Sequence, residues 1–315
     1  MQAETIRIAT FAAPLSRAGP GLILRDIRKG DDPQIAAIVQ VIDQISPDIL
    51  LLTDIDFDLD GAALAAFSDV LQQPYEHQFT ARPNAGIPTG FDVDGNGRLG
   101  EARDAQGYGE FSGDGSLAVL SRFRFGDVAD LSAVLWRDLA GVELPPMKAE
   151  HAAIQRLSST GHWIVPIDLP IGRLHLLAFA ATPPVFDGPE DRNGLRNRDE
   201  LRLWTEVLDG AFGEVPDSFV IAGNANLDPT AGDGLRDAMV DFLADRRLQD
   251  PLPGIPTAYW PDRPALGALR VSYVLPSREW VVKDAGVVWH SSDPIEGVGN
   301  MVAGPHALVW VDISK

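Results

Sequence analysis

The sequence predicts an α/β (α+β) fold of two packed β-sheets with helices outside them. Three observations carry that expectation. Strand-like segments recur from Ile6 to Ile313, segments with helical apolar spacing lie between some of them, and no internal repeat or linker divides the chain. A single domain over residues 1–315 is expected, because a chain of 315 residues can enclose a large core.

The elements follow in order. Ile6-Arg7-Ile8-Ala9-Thr10-Phe11 alternates and reads as a strand. Ile35, Ile38, Val39, Ile42 and Ile45 recur at helical spacing up to Ser46, where Pro47-Asp48 stops the helix. Ile49-Leu50-Leu51-Leu52 is a continuous apolar run, as in a strand buried on both faces. A second helix is expected over Gly61–Leu71. Residues 81–114, rich in Gly, Asp and Asn, read as a long loop; such loops are usually functional or tied down by a ligand. Strands are expected at Ser116–Leu120, His162–Ile167, Leu174–Phe179 and Phe219–Ala222. A polar loop over Thr182–Arg198 leads into a helix near Asp199–Leu208, and Leu235–Leu243 is helical. Leu269–Leu275, Val281–Val288 and Leu308–Ile313 close the sequence as strands.

Composition narrows the function. With 45 acidic against 26 basic residues the net charge is -19, and no Lys/Arg-rich run offers a phosphate backbone a basic face. Nucleic-acid affinity rests on such faces, so the charge weighs against a nucleic-acid partner. No apolar run approaches membrane-spanning length, and no basic amphipathic stretch suits a membrane surface. Cysteine is absent, which excludes disulfides and thiolate chemistry and leaves the compartment open. Met1–Thr5 lacks the charged and apolar regions of a signal peptide. The expectation is a soluble protein, periplasmic or secreted if a leader has been removed.

Several phrases occur in a fixed order: Pro47-Asp48-Ile49-Leu50-Leu51-Leu52, Ala118-Val119-Leu120-Ser121-Arg122, Gln155-Arg156-Leu157-Ser158-Ser159 followed by His162-Trp163, and Thr182-Pro183-Pro184-Val185-Phe186-Asp187-Gly188-Pro189-Glu190-Asp191-Arg192-Asn193-Gly194. Together they resemble the endonuclease/exonuclease/phosphatase family, the fold of DNase I and exonuclease III, and one bacterial branch of it in particular. The resemblance runs over nearly the whole chain. It implies a four-layer sandwich, two mostly antiparallel sheets face to face with helices on both outer faces. It also implies metal-dependent phosphoester chemistry, in which Mg²⁺ or Mn²⁺ on a carboxylate polarises the phosphoryl group, an Asp or His–Asp pair activates water, and a His and an Asn donate to the phosphoryl oxygens.

Most landmarks of that chemistry are replaced. The metal-site Asn expected after the first strand is Ala12. The Asn-Glu pair at the end of the second strand is Thr53-Asp54, whose carboxylate is one methylene short. The His before Thr182-Pro183-Pro184 is Ala180. Gly-Asp-x-Asn is Gly223-Asn224-Ala225-Asn226, and the amide of Asn224 cannot take a proton. Arg-Val-Asp-Tyr is Arg270-Val271-Ser272-Tyr273, and Ser-Asp-His is Gly304-Pro305-His306. The resemblance assigns the catalytic positions to Asp54, Asn224, Asn226 and His306, with Ala12, Ala180, Ser272 and Pro305 substituted. All these positions are expected at one end of the sheets. Losing one donor lowers a rate by roughly 10² or more.

Asp92-Val93-Asp94-Gly95-Asn96-Gly97-Arg98 places oxygens at the first, third and fifth positions of a calcium loop, with glycine at the sixth. Arg103 stands where the bidentate Glu of an EF-hand would be, so the expectation is Ca²⁺ in an irregular loop over residues 92–104, held by Asp92, Asp94 and Asn96. An Asp/Asn/Gly turn explains the same residues. Gly107 and Gly109 read as turn chemistry, His162 and His175 as structural, and Trp260, Trp289 and Trp310 as core or core-edge aromatics. Asp56 and Asp58 read as partners of loop backbone, with help to a displaced ion as the alternative for one of them.

Three readings compete: a pseudoenzyme that keeps the cleft for binding, with a small phosphorylated ligand as the partner; an active phosphoesterase rebuilt around Asp54, Asn226 and His306; and a calcium-stabilised structural protein.

Overall fold

The computed structural model of the protein describes residues 4–290 and 301–315. Thirteen strands are found among them: β1 (Ile6–Phe11), β2 (Ile49–Ile55), β3 (His77–Thr80), β4 (Ser116–Ser121), β5 (Ala129–Asp130), β6 (Gly161–Leu169), β7 (Gly172–Ala180), β8 (Phe219–Asn224), β9 (Ala258–Tyr259), β10 (Ala268–Leu269), β11 (Ser272–Pro276), β12 (Val281–Val288) and β13 (Leu308–Ser314). One sheet runs β12-β13-β1-β2-β4-β3 and the other β11-β8-β7-β6-β5, with β9 and β10 paired apart. Within the two large sheets every pairing is antiparallel except β1 with β2 and β7 with β8.

The alternation of each strand decides which layer its residues enter. On β2, Ile49 and Leu51 face the second sheet, while Leu50 and Leu52 face helices. The inner core joins these to Ile6 and Ile8 of β1, Trp163 and Val165 of β6, and Val220 of β8. Outside the first sheet lie α1 (Leu22–Lys29), α2 (Pro33–Ile45) and α3 (Ala62–Asp69), which bury Ile23, Ile38, Ile42 and Phe67 against Phe11 and Leu52. α4 (Ala149–Ala152) is a single turn. Outside the second sheet, α5 (Arg192–Leu208) and α6 (Arg236–Leu243) bury Trp204, Val207, Met239 and Phe242 against Phe179 and Ile221. The result is the four-layer arrangement the resemblance implies.

Local signals explain the boundaries. Asp32 caps α2 by accepting from Gln34 N at 2.8 Å and Ile35 N at 3.1 Å, and Pro33 occupies the first turn where no donor is needed. Ser46 ends α2 in the left-handed conformation (φ 49°).

Several elements depart from the sequence expectation: the strand expected over Leu269–Leu275 is split into β10, paired with β9, and β11, paired with β8, and β3, β5, β9 and α4 are not among the expected elements. α5 begins at Arg192, not near Asp199, so the polar loop is seven residues shorter than Thr182–Arg198. Its first turns carry Arg196, Asn197, Asp199 and Glu200, all buried through hydrogen bonds and not through apolar spacing. α1, which the sequence reading omits, shows only Ile23 and Ile27 buried among charged residues.

Residues 81–114 form the expected irregular stretch, with one short 3-10 turn at Ala102–Asp104. It is pinned to the second sheet's connections: Asn84 Nδ2 donates to Ser132 O and Ser158 O, each at 2.7 Å. Gly107 is needed for close approach, since a Cβ there would meet Ser159 O at 1.9 Å.

Candidate functional site

Strand direction brings the family positions together. β1 and β2 run parallel and end side by side, which places Ala12, Thr53 and Asp54 at one edge of the first sheet. β13 is antiparallel to β1, so Pro305 and His306, just before it, arrive at the same edge. β7 and β8 are also parallel and end with Ala180 opposite Asn224. β11 is antiparallel to β8 and opens with Ser272 opposite Asn224. Ala12, Asp54, Ala180, Asn224, Asn226, Pro305 and His306 all line one cleft of about 690 Å³. Ser272 does not reach it: the residue is 1% exposed, and its hydroxyl has no partner among the described residues.

The cleft's polar groups are held mostly by backbone. Asn224 Oδ1 accepts from Asn226 N at 3.2 Å. Asn226 sits in the left-handed region (φ 51°), and its Nδ2 donates to Ala181 O at 2.8 Å. Burial pushes the His306 imidazole down to about 4, so the ring is neutral at pH 7, and its Nδ1 has no partner among the described residues. The ring meets Trp260 edge-on, centroids 5.5 Å apart at 88°. Proline at 305 leaves no carboxylate there to orient it.

Asp54 is the carboxylate among these positions. Burial above all, then Asp56 and Asp114, push it up to about 7, against a hydrogen bond from Ser16. Asp56 behind it is pushed up to about 6, mainly by burial, and accepts from Arg17 N at 2.9 Å and Gly115 N at 3.3 Å. Asp58 caps α3 through Ala63 N at 2.9 Å. The Arg17 guanidinium is taken by Asp26 at 3.2 Å and Asp32 at 3.0 Å, so it does not neutralise the group.

A hydrolytic dication does not fit this donor set. Ala12 and Ala180 offer no ligand atom, Asn224 Oδ1 already accepts from Asn226 N, and three carboxylate or His ligands converge nowhere in the cleft among the described residues.

Such a convergence occurs elsewhere. Asp92, Asp94 and Asp104 each offer an oxygen, all within 4.8 Å of one another, a spacing able to hold a metal ion. Asp92 and Asp94 belong to the expected set, and Asn96 lies beside them, its Nδ2 donating to Asp94 at 3.1 Å and to Glu101 at 2.6 Å and its Oδ1 accepting from Arg98 N at 2.8 Å. Asp104 enters because the chain folds back so that its Oδ1 accepts from Val93 N at 2.8 Å.

Other cleft residues carry no signal in the sequence. Trp260 packs at the edge of a small core of Ala258, Leu269 and Val271 and also lines the cleft, as do Tyr108, Phe186 and Arg263, and Thr53 lies there beside Asp54. Phe186 takes φ 71°, and the Arg263 guanidinium stands 5.4 Å over its ring. His162, by contrast, is structural: it is fully buried, its Nδ1 lies 2.8 Å from Ser158 Oγ and its Nε2 3.0 Å from Glu200 O.

A two-sheet α/β sandwich with its cleft at the strand ends is the architecture of metal-dependent phosphoesterases. The chain belongs to the Endonuclease/Exonuclease/phosphatase family, whose model matches residues 25–294. Among solved structures it is similar to an endonuclease/exonuclease/phosphatase from Beutenbergia cavernae, at 18% identity and TM-score 0.58, covering 98% of this chain and 71% of that one. It is similar to sphingomyelinase C from Streptomyces griseocarneus at 16% identity and TM-score 0.55, covering 98% and 99%. TDP2 of D. rerio complexed with a single-strand DNA product is similar at 10% identity and TM-score 0.56, covering 99% and 100%. No curated protein matches the chain. No helix among the described residues is long and apolar enough to cross a membrane.

Proposed function

We propose that this chain keeps the family's cleft as a binding site and does not turn over phosphoesters. One observation carries the reading: the positions that should hold the ion and move the proton are Ala12, Ala180, Asn224, Ser272 and Pro305, none of which carries a charge or titrates at neutral pH. In-line attack on a phosphoryl group needs charge neutralisation at its oxygens and a base for water. His306 is neutral and Asn226 is the one phosphoryl-oxygen donor of the family kept, so no charged group at the family positions meets the charge developing in the transition state.

The test is hydrolysis of bis(p-nitrophenyl) phosphate and p-nitrophenyl phosphate with Mg²⁺, Mn²⁺ and Ca²⁺ in turn. The expected result is no turnover above buffer. Turnover at an ordinary enzymatic rate that Asp54→Ala abolishes would replace this reading with its rival, an enzyme rebuilt around Asp54, Asn226 and His306. A specific observation favours that rival: a carboxyl pushed up to about 7 suits a general base at neutral pH.

The second metal expectation joins the proposal as a structural ion. Ca²⁺ at Asp92, Asp94 and Asp104 would tie the 92–104 loop to itself, and its oxygen-only donors suit a hard cation. A soluble protein of the periplasm or outside the cell, where Ca²⁺ is plentiful, fits such a site.

A further inference from the structure

Building on the reading of the cleft as a binding site, we propose that it takes an organic ammonium cation with an apolar body, and not a phosphorylated ligand. The lining carries Asp54, Asp114, Asp228, Asp233 and Asp262 against the single cation Arg263. Asp228 is spent internally: Oδ1 accepts from Thr230 N and Ala231 N, and Oδ2 from Arg270 N at 2.6 Å. The other four carboxylates have no salt-bridge partner among the described residues, and the nearby Arg17 is held by Asp26 and Asp32. His306 adds no positive charge, and Ala180 removes the second imidazole of the family. A phosphate entering here would meet the one guanidinium of Arg263 against a larger number of carboxylates, whereas a cation would face an excess of anions in a partly desolvated site.

Two further observations point to an amine. Thr53 lines the cleft, is 6% exposed, and its hydroxyl has no partner among the described residues, so an acceptor waits beside Asp54. The walls are aromatic and apolar: Trp260, Phe186 and Tyr108 with Pro183, Pro184 and Val185. Aromatic faces attract ammonium groups, and such walls bury an apolar body. Among the described residues an inorganic dication meets no convergent set of three carboxylates in the same place.

The test is an NMR titration of the ¹⁵N-labelled protein with benzylammonium chloride, benzyl phosphate and MgCl₂ separately. Benzylammonium is expected to give saturable shifts at the Thr53 and Asp54 amides and the Trp260 indole. Asp54→Asn should weaken it by about tenfold. Asp262→Asn, an exposed rim change that leaves the fold alone, should weaken it by about two- to threefold. Benzyl phosphate should give no saturable shifts, and MgCl₂ at equal concentration should not displace the amine. Benzyl phosphate binding as tightly as the amine, amine binding unchanged in both variants, or displacement by MgCl₂ would overturn the assignment. The two readings fail separately. Asp54-dependent phosphoesterase turnover would remove the binding-site reading, while tight benzyl phosphate without turnover would remove only the ligand class.

Discussion

Asn224 and His162 show how far one side chain's chemistry depends on its surroundings. Asn224 ends a buried strand and spends its oxygen on Asn226 N, so its inability to accept a proton is legible directly from residue type. His162 is legible only as a strand residue; its role comes from complete burial. The fold pushes it from 6.5 down to about 4, chiefly by desolvation. A group whose folded pKa is depressed leaves the unfolded chain to bind the proton first. Its contribution is therefore complete above pH 6.5 and is lost as pH falls towards 4, by roughly 3 kcal/mol in all. His162→Asn should be less stable than wild type at pH 7.5, yet lose less stability between pH 7 and 4, as read by urea unfolding at each pH. Parallel curves for the two proteins would refute this. Asp54 has the opposite sign. Because folding pushes it up to about 7, its charge costs stability at high pH, and the cost disappears as pH falls from 7 towards the ordinary value of 3.8. Asp54→Asn should stabilise the fold at pH 8 and make no difference near pH 4.

Elements were legible where burial is apolar and obscure where it is polar. β2 and α2 follow from periodicity because their buried positions are Ile, Leu and Val. The first half of α5 breaks the rule. Glu200 there accepts from Ser159 N at 2.5 Å, Ser159 Oγ at 2.6 Å and Thr182 N at 2.6 Å, and Arg196 donates to the Leu157 and Ser158 carbonyls at 2.8 and 3.0 Å. Tertiary hydrogen bonds replace an apolar stripe, so no 3.6-residue pattern announces the helix before Leu201. Burial pushes Glu200 up, while Arg196 and the three donors pull it back. Glu200→Ala strands those donors and should destabilise the protein by about 3 kcal/mol or more. Glu200→Gln, which keeps an oxygen, should cost less. A denaturant midpoint for Glu200→Ala close to wild type would show that water or another acceptor replaces the carboxylate.

For the molecule as a whole, the sandwich was readable because each strand's apolar residues are sorted between two faces by simple alternation. The cleft was readable only through the resemblance. Its members lie as far apart as Ala12 and His306, and no local pattern joins them. The Asp92–Asp94–Asp104 cluster was half readable, since two ligands sit at loop spacing and the third depends on how the loop closes. Adding CaCl₂ to EDTA-treated protein should raise Tm by several degrees, on the order of that for 1–2 kcal/mol in a chain this large. Asp104→Ala should remove the increment. No change in Tm on Ca²⁺ addition would eliminate the ion.

β13 lies inside the first sheet, between β12 and β1, and pairs Ile313 with Ile6 and Val309 with Thr10. During synthesis, then, β1 emerges first and waits for a neighbour that is made after every other strand. A nascent chain carries an open sheet edge and no finished cleft until residues through Ser314 have left the ribosome, because His306 arrives with the same segment. Contacts of such long sequence separation fold slowly. Closing the first sheet thus joins the first of the described strands to the last, and the pairing of β1 with β13 is expected to be a late step of folding.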